Sequence, residues 1–143
     1  MSDLLEGFKE HQAFTDPQSP DPRLRGRTYA IPFETVWQGL IGLGGGGMSG
    51  WDIESADDQQ GLINAAVSGG VLRPEIVVRI RVGLDENAQT RVDLAANTRS
   101  ERGDFGRSRR VIDSFTKRLD QKLGADEAHI LDPTRISAYG ADA

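Results

Sequence analysis

Apolar and polar positions alternate most regularly between residues 75 and 98. Along 75–84 the side chains Ile76, Val78, Ile80, Val82 and Leu84 alternate with Arg79, Arg81 and Gly83, the period of a strand that buries one face. Along 90–98, Val92, Leu94 and Ala96 share a face while Arg91, Asp93 and Asn97 take the other. Pairing the two segments across residues 85–89 sets Val82 opposite Val92 and Arg81 opposite Asp93, so one register satisfies both the apolar face and the charges. The hairpin leads into residues 104–123, where Phe105, Ser108, Ile112, Phe115, Leu119 and Leu123 recur at helical spacing. Asp104 is placed to cap this helix, Gly124 to stop it, and Asp113 stands four residues before Lys117.

Upstream, the pattern predicts a short strand over 27–31, then Pro32 and a helix over 33–43. Phe33, Val36, Trp37, Leu40 and Leu43 form its apolar stripe, and proline suits the first turn because its missing N–H would have no partner there. Gly39 and Gly42 each weaken such a helix by about 1 kcal/mol relative to alanine, so it depends on packing; small residues there also let a strand approach closely. The glycine-rich stretch 44–50 ends the helix. Next, Trp51 and Ile53 point one way and Asp52 and Glu54 the other, residues 57–61 have turn composition, and 62–67 returns with Ile63, Ala65 and Val67 inward. Residues 68–74 read as a loop. The order β-α-β-β-β-β-α predicts an α+β fold, an antiparallel sheet of about five strands packed on one face by a long C-terminal helix, since no strand-helix-strand alternation calls for a parallel sheet.

This domain spans residues 27–123. Residues 1–26 read as an extended N-terminal arm: Ser2 can cap a short helix with Leu4, Leu5 and Phe8 on one side, and the three prolines Pro17, Pro20 and Pro22 then force an extended path. Residues 124–143 read as a C-terminal tail anchored by Ile130, Leu131, Ile136 and Tyr139.

Length and composition narrow the function classes. A chain of 143 residues fits one domain that buries about two thirds of its unfolded surface. With no cysteine, disulfides, thiolate catalysis and cysteine-ligated zinc or iron–sulfur sites are excluded. No apolar run approaches the ~20 residues that span a bilayer, and the first residues lack the basic-then-apolar order of a signal peptide. The expected location is therefore the cytoplasm, and a peripheral place on the cytoplasmic face of a membrane complex is compatible with it. A net charge of −5 argues against nucleic acid and against direct contact with an anionic membrane. The charge is uneven, however: residues 99–118 hold seven basic side chains (Arg99, Arg102, Arg107, Arg109, Arg110, Lys117 and Arg118) and three acidic ones (Glu101, Asp104 and Asp113), a local +4.

Three stretches carry a resemblance to a family: residues 27–37 (Arg-Thr-Tyr-Ala-Ile-Pro-Phe-Glu-Thr-Val-Trp), 90–94 (Thr-Arg-Val-Asp-Leu), and 98–110, in which Asp104-Phe105-Gly106 opens the last helix with Arg110 one turn on. Over roughly residues 22–123 the chain resembles an uncharacterised bacterial family, the domain of unknown function numbered fourteen ninety-nine. It has Glu101 where that family tends to have glycine, Ser108 where asparagine is favoured, and Val111 where a second arginine is common. The resemblance implies an α+β fold and brings no agreed activity with it.

Candidate chemistry is sparse. Residues 42–50 match the spacing G-x-G-x-x-G, but a phosphate cradle needs a strand before the glycines and a helix after them, and here that order is reversed; a flexible helix-to-strand loop is the expectation. His11 and His129 lie in opposite tails without an acid or nucleophile at fixed spacing, so both read as solvated. Asp57 and Asp58 read as turn residues, because further oxygen ligands at the offsets of a calcium loop are missing. No catalytic set, metal set or cofactor is expected.

The arginines at the start of the last helix are the one constellation with binding potential. Arg99, Arg102, Arg107, Arg109 and Arg110 can receive an acidic protein surface, a phosphate or a lipid headgroup with bidentate geometry, or form a solvated face with local pairs to Glu101, Asp104 and Asp113. The leading expectation is a non-enzymatic interaction domain that docks to a larger protein assembly through its arm, its tail and these arginines. The alternative is a carrier of small apolar ligands or lipids, with a cavity between sheet and C-terminal helix lined by Trp37, Trp51 and Phe115.

Overall fold

The computed structural model describes residues 12–69, 74–98 and 105–131. Seven strands form one antiparallel sheet: β1 (Gln12–Phe14), β2 (Arg27–Tyr29), β3 (Trp51–Asp57), β4 (Leu62–Val67), β5 (Ile76–Leu84), β6 (Thr90–Thr98) and β7 (Ile130–Leu131). Two helices, α1 (Phe33–Gly42) and α2 (Phe105–Leu123), accompany it. The order across the sheet is β3-β4-β5-β6-β2-β7, and β1 pairs beside β2 on the same edge of β6. The α+β expectation holds, with more strands than the five anticipated.

The central hairpin has the register read from its pattern, with Val82 opposite Val92 and Arg81 opposite Asp93. Its inner face is Ile76, Val78, Ile80, Val82, Val92, Leu94 and Ala96, all nearly inaccessible to solvent. β3 and β4 form the second hairpin, with a bulge between Ile53 and Ser55. At its tip Asp57 does turn chemistry, its Oδ1 accepting from the backbone N–H groups of Gln59 and Gln60. The inner face of the sheet shares one core with Val36, Trp37 and Leu40 of α1 and with Ile112, Phe115 and Leu119 of α2. α2 ends as expected at Gly124, whose φ of +62° lets the N–H of Ala125 return to the carbonyl of Asp120 (2.9 Å).

Three departures from the sequence reading have local causes. The anticipated arm is not separate from residue 12 onward: β1 pairs Gln12, Ala13 and Phe14 with Asn97, Ala96 and Ala95, and Ala13 and Leu24 belong to the core. The open edge of β6 offers backbone partners that the arm lacks by itself. The anticipated tail likewise returns as β7, pairing Ile130 with Tyr29 and Leu131 with Thr28. At Gly39 the close neighbour is a helix rather than a strand; a Cβ there would lie 2.8 Å from Leu123 Cδ2 of α2. Gly42 faces Lys122 in the same way, so the two glycines let the helices approach each other.

Candidate functional site

α1 does not stop cleanly at its glycines but widens into a π turn, Leu43–Gly47, in which Gly46 adopts a φ of 142° open only to glycine. The widened turn lays its backbone on β3, where a Cβ at Gly44 would come within 3.1 Å of Ile53 Cγ1. Met48 and Trp51 are thereby set against the first turns of α2. Trp51 stacks on Phe115, ring centroids 4.6 Å apart, which joins β3 to α2 through the core.

The arginines of α2 separate according to the helix face each occupies. Arg107, only 8% exposed, donates from Nη1 to the backbone carbonyl of Pro74 (2.6 Å), holding α2 to the approach of β5. Arg109 reaches the other side, where its Nη1 lies 3.5 Å from Asp21 Oδ2. Asp21 also caps the 3₁₀ turn Pro22–Leu24 and pairs with Arg23, whose hydrogen bonds hold the Asp21 carboxyl below its ordinary range. Arg110 is exposed and, among the described residues, has no carboxylate within ion-pair distance. Arg99 and Arg102 lie outside the described residues, as do His11 and Asp104. Of the three that are described, Arg107 and Arg110 share a site and Arg109 serves another contact.

That site is an open groove of about 190 Å³ lined by Met48, Trp51, Arg107, Arg110, Val111 and Ser114. Its helix side follows from sequence spacing, since positions 107, 110, 111 and 114 fall on one face. Arg118, one turn further, donates weakly from Nη2 to the carbonyl of Gly47 (3.5 Å), closing the row near the π turn. Met48, Val111 and Ser114 were not anticipated. The spacing on α2 was a usable signal for the last two, whereas Met48 joins the site only through the path of the glycine loop.

Of the aromatic residues anticipated as a cavity lining, Trp51 borders the groove, whereas Trp37 and Phe115 are packed. Trp37 is 5% exposed and stacks on Phe33 of its own helix at 5.9 Å, while the mutual stack of Trp51 and Phe115 fills the space between them. A second open groove, about 320 Å³, lies along the proline-rich segment and is lined by Phe14, Asp16, Gln18, Ser19, Pro20 and Leu24, away from those three. His129 sits in the turn after α2 with its Nδ1 2.8 Å from Asp126 Oδ1. Among the described residues no group of three acids or histidines is arranged to hold a metal ion, and no helix is long and apolar enough to cross a membrane.

No family model matches the chain, and neither the curated proteins nor the solved structures include a significant match.

Proposed function

We propose that the protein is a non-enzymatic interaction domain that docks to a larger protein assembly through the groove face of α2. The observation that supports this reading is Arg110: an exposed guanidinium without a carboxylate among the described residues, beside an apolar floor of Met48, Trp51 and Val111. Elsewhere in the body Arg27 pairs with Asp120 and Arg91 with Asp93. An exposed arginine at the rim of a small apolar recess is the kind of position that dominates protein–protein contacts. A peripheral role in a membrane-associated complex is one form such docking can take.

A carrier of small apolar ligands draws less support. The recess beside Trp51 holds about 190 Å³, below the ~300–1,000 Å³ of typical small-molecule pockets. The docking reading is tested by affinity capture from extracts of the source organism with the intact chain and with Arg110→Glu. Polypeptides retained by the first and lost from the second are the expected result. Identical retention by both variants would remove the proposal.

A further inference from the structure

We infer that the groove takes one apolar side chain from an acidic segment of a partner protein, with carboxylates four residues apart meeting Arg110 and Arg118. This inference rests on the docking reading and specifies its partner.

Charge comes first. α2 carries six basic residues (Arg107, Arg109, Arg110, Lys117, Arg118 and Lys122) and two acidic ones (Asp113 and Asp120), +4 in a chain of net charge −5, so the remaining sequence carries −9. Asp113 and Asp120 are themselves engaged, with Lys117 and with Arg27. Arg110 and Arg118, both exposed, thus present positive charge on a chain that is acidic overall, and the complement is a short acidic stretch rather than an extended one.

Size and shape then select the anchor. About 190 Å³ suits one aliphatic side chain. Trp51 is 9% exposed, too covered to stack a base, which removes the usual mode of single-stranded nucleic-acid binding. The apolar stripe of α2, Ile112, Phe115 and Leu119, is buried against the sheet, leaving the helix no apolar face to insert into a bilayer. A protein segment is the occupant that remains.

Spacing gives the register. Arg110 and Arg118 are eight positions apart on α2, about 12 Å along the helix axis, with Val111 and Ser114 between them. An extended segment covers that distance in about four residues. The matching pattern is therefore acid, any residue, aliphatic, any residue, acid.

The test uses the full ¹⁵N-labelled chain and three peptides blocked at both ends: Glu-Ser-Leu-Ser-Glu, Glu-Ser-Ala-Ser-Glu and Lys-Ser-Leu-Ser-Lys. The leucine peptide is expected to shift the amides of Met48, Val111 and Ser114, and to bind about tenfold tighter than the alanine peptide, the gain from burying the extra methyl groups. The lysine peptide is expected to leave those amides unmoved. Arg110→Glu should weaken the leucine peptide about tenfold, and Val111→Trp, which fills the recess, should do the same without touching the charges. Equal binding of the leucine and alanine peptides, or no binding of either, overturns the inference; if Arg110→Glu still abolishes capture by the intact chain, the docking reading stands without it. Shifts of the same amides caused by phosphatidylglycerol vesicles with silent peptides, or by raising protein concentration alone, overturn it in favour of a lipid headgroup or a second copy.

Discussion

The hydroxyl of Tyr29 donates to Asp120 Oδ1 across 2.6 Å, joining β2 to the last turn and a half of α2 over 91 residues of sequence. Arg27, two residues away on the same strand, grips both oxygens of that carboxylate through Nε and Nη2 at 3.1–3.2 Å. One carboxylate thus fixes the long helix to the strand at the sheet margin, at the end of α2 opposite the groove.

Removing parts of this lock should cost different amounts. Tyr29→Phe deletes one hydrogen bond yet leaves Asp120 held by Arg27, an expected loss of about 1 kcal/mol. Asp120→Ala leaves the Tyr29 hydroxyl, in a fully buried side chain, and a half-buried guanidinium without their partner, an expected loss of about 3 kcal/mol. Urea denaturation of the two variants at neutral pH measures the difference, and equal losses would contradict the shared role of the carboxylate.

The same contact makes stability sensitive to alkali. Burial first, and the Asp120 hydrogen bond second, push the Tyr29 phenol well above its ordinary value of 10.0. A group raised on folding contributes fully below the unfolded value and loses that contribution as pH climbs from there toward the folded value. Stability should therefore fall as pH rises beyond about 10, and Tyr29→Phe should flatten the fall. Tyrosinate absorbance provides a second reading: Tyr29 should ionise only as the chain unfolds.

Glycines near the sheet should differ sharply in tolerance. At Gly61, φ is +68° and a Cβ would overlap the Val82 carbonyl oxygen of the adjoining strand, so Gly61→Ala should lose more than about 2 kcal/mol. At Gly83 there is no positive φ and open space around the added carbon. Gly83→Ala should be neutral or gain about 0.5 kcal/mol, by restricting the unfolded chain. Thermal unfolding of both variants decides this.

Under α2, the hydroxyls of Ser108 and Thr98 are buried, and neither has a hydrogen-bond partner among the described residues. Removing a buried hydroxyl of that kind relieves a desolvation cost. Ser108→Ala should stabilise the chain by about 0.5–1 kcal/mol; a loss of that size in denaturation would show that the hydroxyl is satisfied in solution. In contrast, Phe115→Ala should cost about 3–5 kcal/mol, because it removes a fully buried ring and the stacking partner of Trp51.

Local pattern by itself determined the two hairpins, both helices and the register that sets Arg81 against Asp93, because alternation and helical spacing report which face of a segment is buried. Partners separated by most of the chain leave no such mark. Gln12–Phe14 and Ile130–Leu131 are too short to show a period, and they become strands only because β6 and β2 present free backbone edges once the sheet exists. The arginines of α2 were evident as a basic run, but their separation was not: packing of one helix face on the sheet sent Arg109 to Asp21 and Arg107 and Arg110 to the groove. Met48 reached that groove through the widened glycine turn of residues 43–47, a backbone path that composition marks as permissive and only the surrounding tertiary contacts make specific.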